Sequence, residues 1–291
     1  MGKRSCLIAG LPESGKSTFL GALWFNLRRN KKGGNMCLTA DSNLPDDIAQ
    51  LNKLSDAWRD AEDIDRTSGV GSIERVKLNL VRKGTNEKIT LEVPDFRGEV
   101  FKNLLTFGTS DLLNKWLSET DSLLYFIKDF KNGDFDDDEL HDHDEDISSL
   151  AVVPPLTVED ISPAAQNIMV LKYLLSQVHF KKVIIMLSCW DLYTNNGKSN
   201  KNPEIFLRQN SPGLYNYITH HISNPEFYGL SSQGRPYPLK KGDQSDEQYI
   251  SLRAELKKEL IPLTKDGKRA FVEFKDKIIF DLSLPLDNLI A

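Results

Sequence analysis

Cysteine is scarce in this chain of 291 residues: Cys6, Cys37 and Cys189 are odd in number and widely scattered. That spacing offers neither a disulfide framework nor a zinc site, and it suits a reducing compartment. Long apolar runs are also missing, and no stretch approaches the ~20 residues of a membrane-spanning helix. A secretory leader is not expected either, because the glycine-rich stretch Gly10 to Lys16 stands where small residues would have to follow an apolar core. The expected location is therefore cytoplasmic. Nor is there an excess of positive charge. The formal net charge is -5, and residues 134–146 alone carry nine acidic side chains and no Lys or Arg. With or without that run, the balance is not that of a strongly basic nucleic-acid binder. The run includes His141 and His143. It reads as a solvated loop and not as a metal site, because like charges repel and stay in water.

What is present is ordinary for a globular chain: 40% hydrophobic and 27% charged residues. The length suits one large domain or two small ones. Residues 4–9 read as a short buried strand, followed by a glycine turn and a helix from about Lys16 to Arg29, with Phe19, Leu20, Leu23 and Leu27 at helical spacing. A second helix is expected over 44–60, with Leu44, Ile48, Leu51, Leu54 and Trp58 on one face. The alternation over 73–82 and the strand 89–93, joined by Lys83-Gly84-Thr85-Asn86, suggest a hairpin. One helix is expected over 104–117 and others over 163–179, 205–222 and 245–260. The continuous apolar runs 122–127 and 183–187 fit buried parallel strands. A further strand ends at Gly229-Leu230-Ser231, and the tail 271–284 offers two short strands. Strands alternating with helices predict an α/β fold with a mostly parallel central sheet and helices on both faces, its ligand site beyond the carboxyl ends of the strands.

The residues with chemical meaning fall at those strand ends. Gly10-Leu11-Pro12-Glu13-Ser14-Gly15-Lys16-Ser17 matches Gly-x4-Gly-Lys-Ser between a strand and a helix. Glycines let backbone N–H groups turn toward an anion, and the helix N-terminus adds partial positive charge. Gly10, Glu13, Ser14, Gly15, Lys16, Ser17 and Thr18 are the expected phosphate lining. Lys16 reaches the β- and γ-phosphates, and Ser17 offers its hydroxyl to Mg²⁺. Asp95-Phe96-Arg97-Gly98 follows the 89–93 strand. Asp95 suits the shell of that Mg²⁺, Gly98 can turn its N–H toward a γ-phosphate, and Glu99 stands where a residue would orient the attacking water. The plain alternative is a Pro-Asp turn closed by Gly98. Thr67, in a polar loop, is the candidate for a further metal contact, and the adjacent Arg66 for a charge-stabilising arginine in cis. Asp191, after the 183–187 strand, can accept two hydrogen bonds from guanine, a pairing adenine does not make. It can equally cap a turn. Ser231 and Ser232 offer small residues where the backbone can approach the base. His220-His221 reads as structural, and Trp24, Trp58, Trp116 and Trp190 read as core or pocket-wall aromatics, with Trp190, next to Asp191, in a place to flank the base.

In this order the elements resemble the translation-factor-related class of P-loop GTPases. Within it, the run from Ala9 to Trp24 looks like the double-GTPase domains of bacterial conflict and defence systems. The resemblance implies a P-loop NTPase fold over 1–291 as a single domain, with insertions at about 31–72 and about 130–160. It implies GTP/GDP and Mg²⁺ as ligands, with Lys16, Ser17, Thr67, Asp95, Gly98 and Asp191 carrying them, and a protein partner that it does not identify. Two departures stand out. Ser188 and Cys189 occupy the first two places of the usual Asn/Thr-Lys-x-Asp base motif, and Glu99 stands where many relatives have Gln. A carboxylate near the γ-phosphate adds repulsion, so slow hydrolysis is expected. The competing functions are a GTP-hydrolysing switch, a nucleotide-dependent protein-binding module with negligible hydrolysis, and an ATPase on the same loop. The helix at 44–58 and the acidic loop are where a partner is expected to bind.

Overall fold

The computed structural model describes residues 2–29, 36–43, 48–62, 75–94, 98–130, 157–193, 202–238 and 245–291. Strand β1 (Gly2–Gly10) runs into helix α1 (Lys16–Arg29). A short strand β2 (Leu38–Ala40) and helix α2 (Ala49–Arg59) follow. Strands β3 (Arg75–Arg82) and β4 (Lys88–Pro94) form the expected hairpin, with Val76 opposite Val93 and Leu78 opposite Leu91. Beyond it come α3 (Gly98–Phe107), α4 (Asp111–Leu117) and β5 (Ser122–Ile127).

The second half holds α5 (Pro163–Gln177), β6 (Lys182–Ser188), α6 (Pro203–Asn210), α7 (Pro212–His221) and β7 (Glu226–Ser231). It closes with α8 (Asp246–Lys265), β8 (Phe271–Phe274), β9 (Lys277–Ile279) and α9 (Leu284–Leu289).

The described strands make one sheet in the order β2-β3-β4-β1-β5-β6-β7-β8-β9. Its centre, β4-β1-β5-β6-β7, is parallel, and the pairs at both margins are antiparallel. Alternation along the central strands splits the core in two. Cys6, Ile8, Leu124, Phe126, Ile184 and Met186 face α1, α2 and α9. Leu7, Ala9, Tyr125, Ile127, Ile185 and Leu187 face α3 to α7. Both faces of the strands are therefore apolar, which is why they read as continuous runs. The result is the α/β fold with helices on both faces.

Two expectations are corrected. The single helix over 104–117 is two, because Ser110 caps a new helix by accepting a hydrogen bond from the Leu113 N–H at 3.4 Å, and the earlier one starts at Gly98. The helix over 205–222 is also two, divided at Ser211 with Pro212 opening the second. The strand ending at Ser231 and the two short strands of the tail are present as β7, β8 and β9, and the last two extend the sheet at its margin. Strand β2 and helix α9 were not expected. Three residues are too few for a periodic signal, and the proline at the start of α9 masks a six-residue helix.

Candidate functional site

β1 delivers the chain to the carboxyl edge of the sheet, and the loop from Gly10 to Gly15 turns it back into α1. Gly10, Glu13 and Gly15 all have positive φ, so the loop is a tight backbone cradle. Helix α1 has no acidic residue in its first turn to compete with an anion there. Ser14 is buried, while Gly15, Lys16, Ser17 and Thr18 are half-buried and Glu13 is exposed. The Lys16 ammonium donates to the carbonyls of Gly10 and Leu11, both at 2.8 Å, and contacts the Ser14 hydroxyl at 3.0 Å. It also lies 5.7 Å from the centroid of the Phe101 ring of α3. The cation is thereby held inside the loop that surrounds the helix end.

The parallel neighbours of β1 bring two further elements alongside. β4 ends at Pro94, immediately before Asp95, and α3 opens at Gly98 with Glu99 as its second residue. Asp95 itself lies outside the described residues, as do Arg66 and Thr67 and the acidic run 134–146 with His141 and His143. Ser17 is the described oxygen donor of the expected Mg²⁺ set, and a hydroxyl oxygen is a ligand type that suits a hard divalent cation.

On the other side of β1, β5 and β6 run in register from Ser122 opposite Lys182 to Ile127 opposite Leu187. This places Lys128 beside the end of β6. Ser188, buried, donates its hydroxyl proton to the Ser14 carbonyl at 2.7 Å and ties the end of β6 directly to the phosphate loop. Cys189 follows in the left-handed region at φ 55 and feeds a 3-10 turn, Trp190–Leu192. Asp191 is half-buried. Burial pushes its carboxyl pKa up, and a hydrogen bond from Ser231 and the charge of Arg235 pull against that shift. Ser231 is fully buried, Ser232 nearly so, and the Ser231 hydroxyl oxygen accepts the Gly234 N–H at 3.1 Å. Parallel pairing of β6 with β7, Ser188 opposite Leu230, is what brings Asp191 and Ser231 together. The structure thus gathers Gly10 to Thr18, Asp191, Ser231 and Ser232 at one edge of the sheet.

Several functional contacts were not read from the sequence. Ser188 appeared only as a departure from a motif, yet its hydroxyl bridges two loops. Lys128 reaches 3.9 Å from the Glu13 carboxylate, and its charge opposes the burial that pushes the Cys189 thiol pKa up. A cavity of about 360 Å³ opens on this flank of the loop, with Leu11, Glu13, Lys128, Gln166 and Asn167 among its lining. No local pattern marks Lys128, because strand pairing alone brings it here. Trp190 belongs to the core, as its reading as a core or pocket-wall aromatic expects. It is fully buried, donates from Nε1 to Glu273 Oε2 at 2.6 Å and packs edge-on against Phe206. The apolar face of α2 is turned inward, with Leu51, Leu54 and Trp58 buried within the chain. His221 stacks on Tyr217 at 4.2 Å on the exposed end of α7. Among the described residues no group of three or more His, Cys, Asp or Glu side chains is placed to hold a metal, and no helix is long and apolar enough to cross a membrane.

Residues 7–289 match the family described as Double-GTPase 1. A search of curated proteins gave no match. Among solved structures, the chain is similar to the Methanosarcina barkeri Roco2 RocCORdC structure bound to GDP, at 14% identity and a TM-score of 0.33 over 90% of this chain and 50% of that one. It is similar to the G domain of the T. maritima FeoB iron transporter at 12% identity, TM-score 0.35, over 88% of this chain and 99% of that one. It is also similar to the Arl6 BBS3 small GTPase from Trypanosoma brucei with the bound nucleotide analogue GppNp, at 10% identity and TM-score 0.36, over 88% and 99% of the two chains. The chain spans half the length of the Roco2 chain.

Proposed function

The chain belongs to the Double-GTPase 1 family, and from that membership we propose that it is a guanine-nucleotide-binding switch that hydrolyses GTP slowly. The observation that carries the reading is the pairing of two strand ends across the site. The phosphate loop after β1 and the Asp191–Ser231 pair after β6 and β7 are joined by the Ser188 hydroxyl. An anion cradle and a half-buried hydrogen-bond acceptor at one sheet edge suit a ligand with phosphates at one end and a donor-rich base at the other.

In this reading the loop N–H groups from Glu13 to Thr18 and the Lys16 ammonium hold the phosphates. Asp191 accepts from the N1–H and the exocyclic amine of guanine, with Ser231 and Ser232 beside it. Lys128 offers the cation that Cys189 cannot, next to Glu13. Ser17, with Asp95 and Thr67, would hold Mg²⁺, which neutralises developing phosphate charge when bound. Gly98 meets the γ-phosphate, Glu99 orients water and Arg66 stabilises charge. The Glu99 carboxylate near that phosphate is the reason for expecting slow turnover.

Changing the base reader tests the assignment most directly. An amide at position 191 presents one acceptor and one donor, which matches the N1–H and 2-oxo edge of xanthine and mismatches guanine. Asp191→Asn is therefore expected to lose GDP affinity by roughly a hundredfold and gain XDP affinity, measured by calorimetry. Unchanged GDP binding, or a wild-type preference for ADP, would remove Asp191 from the site. Phosphate release from GTP in single turnover checks hydrolysis, and fast release by the chain alone would contradict the role given to Glu99.

A further inference from the structure

Neither the phosphate loop nor the base-side carboxylate explains why a helix and an arginine are locked onto the back of the base loop. The last turn of helix α2 carries Trp58, which is 2% exposed and donates from Nε1 to the Ser232 carbonyl at 2.7 Å. Arg269, just before β8 and 1% exposed, lies over the Trp58 ring at 4.0 Å from its centroid. Its Nε donates to the Gln233 carbonyl at 3.2 Å, one terminal nitrogen to the Arg59 carbonyl at 3.3 Å, and the other to the Tyr237 hydroxyl at 2.7 Å. One planar guanidinium therefore ties the last turn of α2 to the loop behind β7. A buried arginine is a costly way to fill space, since apolar side chains pack as well without the desolvation. Its fork is suited to fixing several acceptors in one geometry.

The same loop continues to the site. Gly234 donates to the Ser231 hydroxyl oxygen, and a Cβ at Gly234 would run into the Arg269 carbonyl. Ser231 is the hydrogen-bond partner of Asp191. At its other face α2 is joined to α1: Trp24 Nε1 donates to Asn52 Oδ1 at 2.9 Å, and Gly21 lets the Leu54 carbonyl approach. α1 begins at Lys16, so α2 bridges the helix under the phosphates and the loop under the base.

We propose that Trp58 and Arg269 are positioning residues for base selection, holding the Ser232 and Gln233 carbonyls so that Ser231 keeps Asp191 in place, and that α2 thereby senses whether a base is bound. The proposal rests on the guanine-binding reading given above. Cation–π contact and two carbonyl hydrogen bonds give the clamp its rigidity.

The test uses the full chain, with Trp58→Phe on α2 and Arg269→Met before β8. Affinities for GDP, for IDP, which lacks the exocyclic amine, and for inorganic pyrophosphate are measured for each, with melting temperatures. Both variants are expected to lower the GDP-to-IDP affinity ratio by roughly tenfold, the effect of one misplaced hydrogen bond, while pyrophosphate binding stays within about twofold of wild type. A wild type without preference for GDP overturns the guanine reading and the clamp with it. A wild type that prefers GDP, with the ratio kept in both variants, overturns the clamp alone. Hydrogen exchange on the wild type keeps the idea testable if neither variant folds. Residues 49–62 are expected to exchange more slowly with GDP than with pyrophosphate, and equal protection by the two overturns the proposal.

Discussion

At the scale of single residues, Asp191 carries two opposed pH dependences. Burial raises its folded-state pKa above the value in the unfolded chain, with the Ser231 hydrogen bond and the Arg235 charge only partly offsetting it. A raised carboxyl pKa means that the ionised group lowers stability at neutral pH. That loss is recovered as pH falls through the folded-state pKa, and the recovery is complete below the unfolded value. In the proposed site nucleotide binding has the other sign, because only a carboxylate at Asp191 would accept both guanine donors. GDP affinity is therefore expected to fall on acidification, beginning at a higher pH than for an ordinary aspartate, whereas the Asp191→Asn variant shows no such step in calorimetric titrations across pH. The same substitution, free of nucleotide, is expected to melt above wild type at pH 7.

Ser188 gives the complementary residue-scale case. Its hydroxyl donates to a carbonyl of the phosphate loop in a buried position. Ser188→Ala leaves the Ser14 carbonyl without that donor, a loss of about 1–3 kcal/mol. Because the donor spans two loops, GDP affinity is expected to fall along with the urea midpoint. A drop in stability with GDP affinity unchanged would make Ser188 merely a packing residue.

At the scale of elements, the contact between α1 and α2 depends on a missing side chain. A Cβ on Gly21 would sit 2.5 Å from the Leu54 carbonyl oxygen, which belongs to a helix backbone and has little room to retreat. Gly21→Ala is expected to destabilise the fold by about 1–3 kcal/mol, the usual range for forcing extra volume into a packed interface, read as a lower denaturant midpoint. If the midpoint rises instead, helix propensity outweighs the contact. This scale is also where sequence reading succeeds and fails for identifiable reasons. α1 and β5 have the expected limits because one begins at a strong motif and the other is a continuous apolar run. The break between α3 and α4 was missed because apolar residues continue at helical spacing across it, masking the Ser110 cap. The phosphate loop and Asp191 were legible as local patterns. The Trp58–Arg269 clamp was not, since its partners stand 211 positions apart and meet only where α2 and the segment before β8 both bind the loop after β7.

At the scale of the whole molecule, the ligand site belongs to both halves of the core. β1, β5 and β6 send alternate side chains to α1 and α2 on one face and to α3 to α7 on the other. The loops at their carboxyl ends are therefore held by both layers. A ligand that needs the phosphate loop after β1 and the Asp191–Ser231 pair after β6 and β7 binds only when the parallel centre of the sheet is assembled. Binding energy then appears as global stability. At a GDP concentration of 100 Kd the expected gain is about 2.7 kcal/mol, visible as a shift of the entire thermal transition rather than of one early phase. Lys16→Ala should lose most of the shift by removing the cation held at the loop, and ADP should produce little shift in wild type. A biphasic transition in which GDP moves only one step would mean that the two faces unfold separately, and that the site is built on one of them alone.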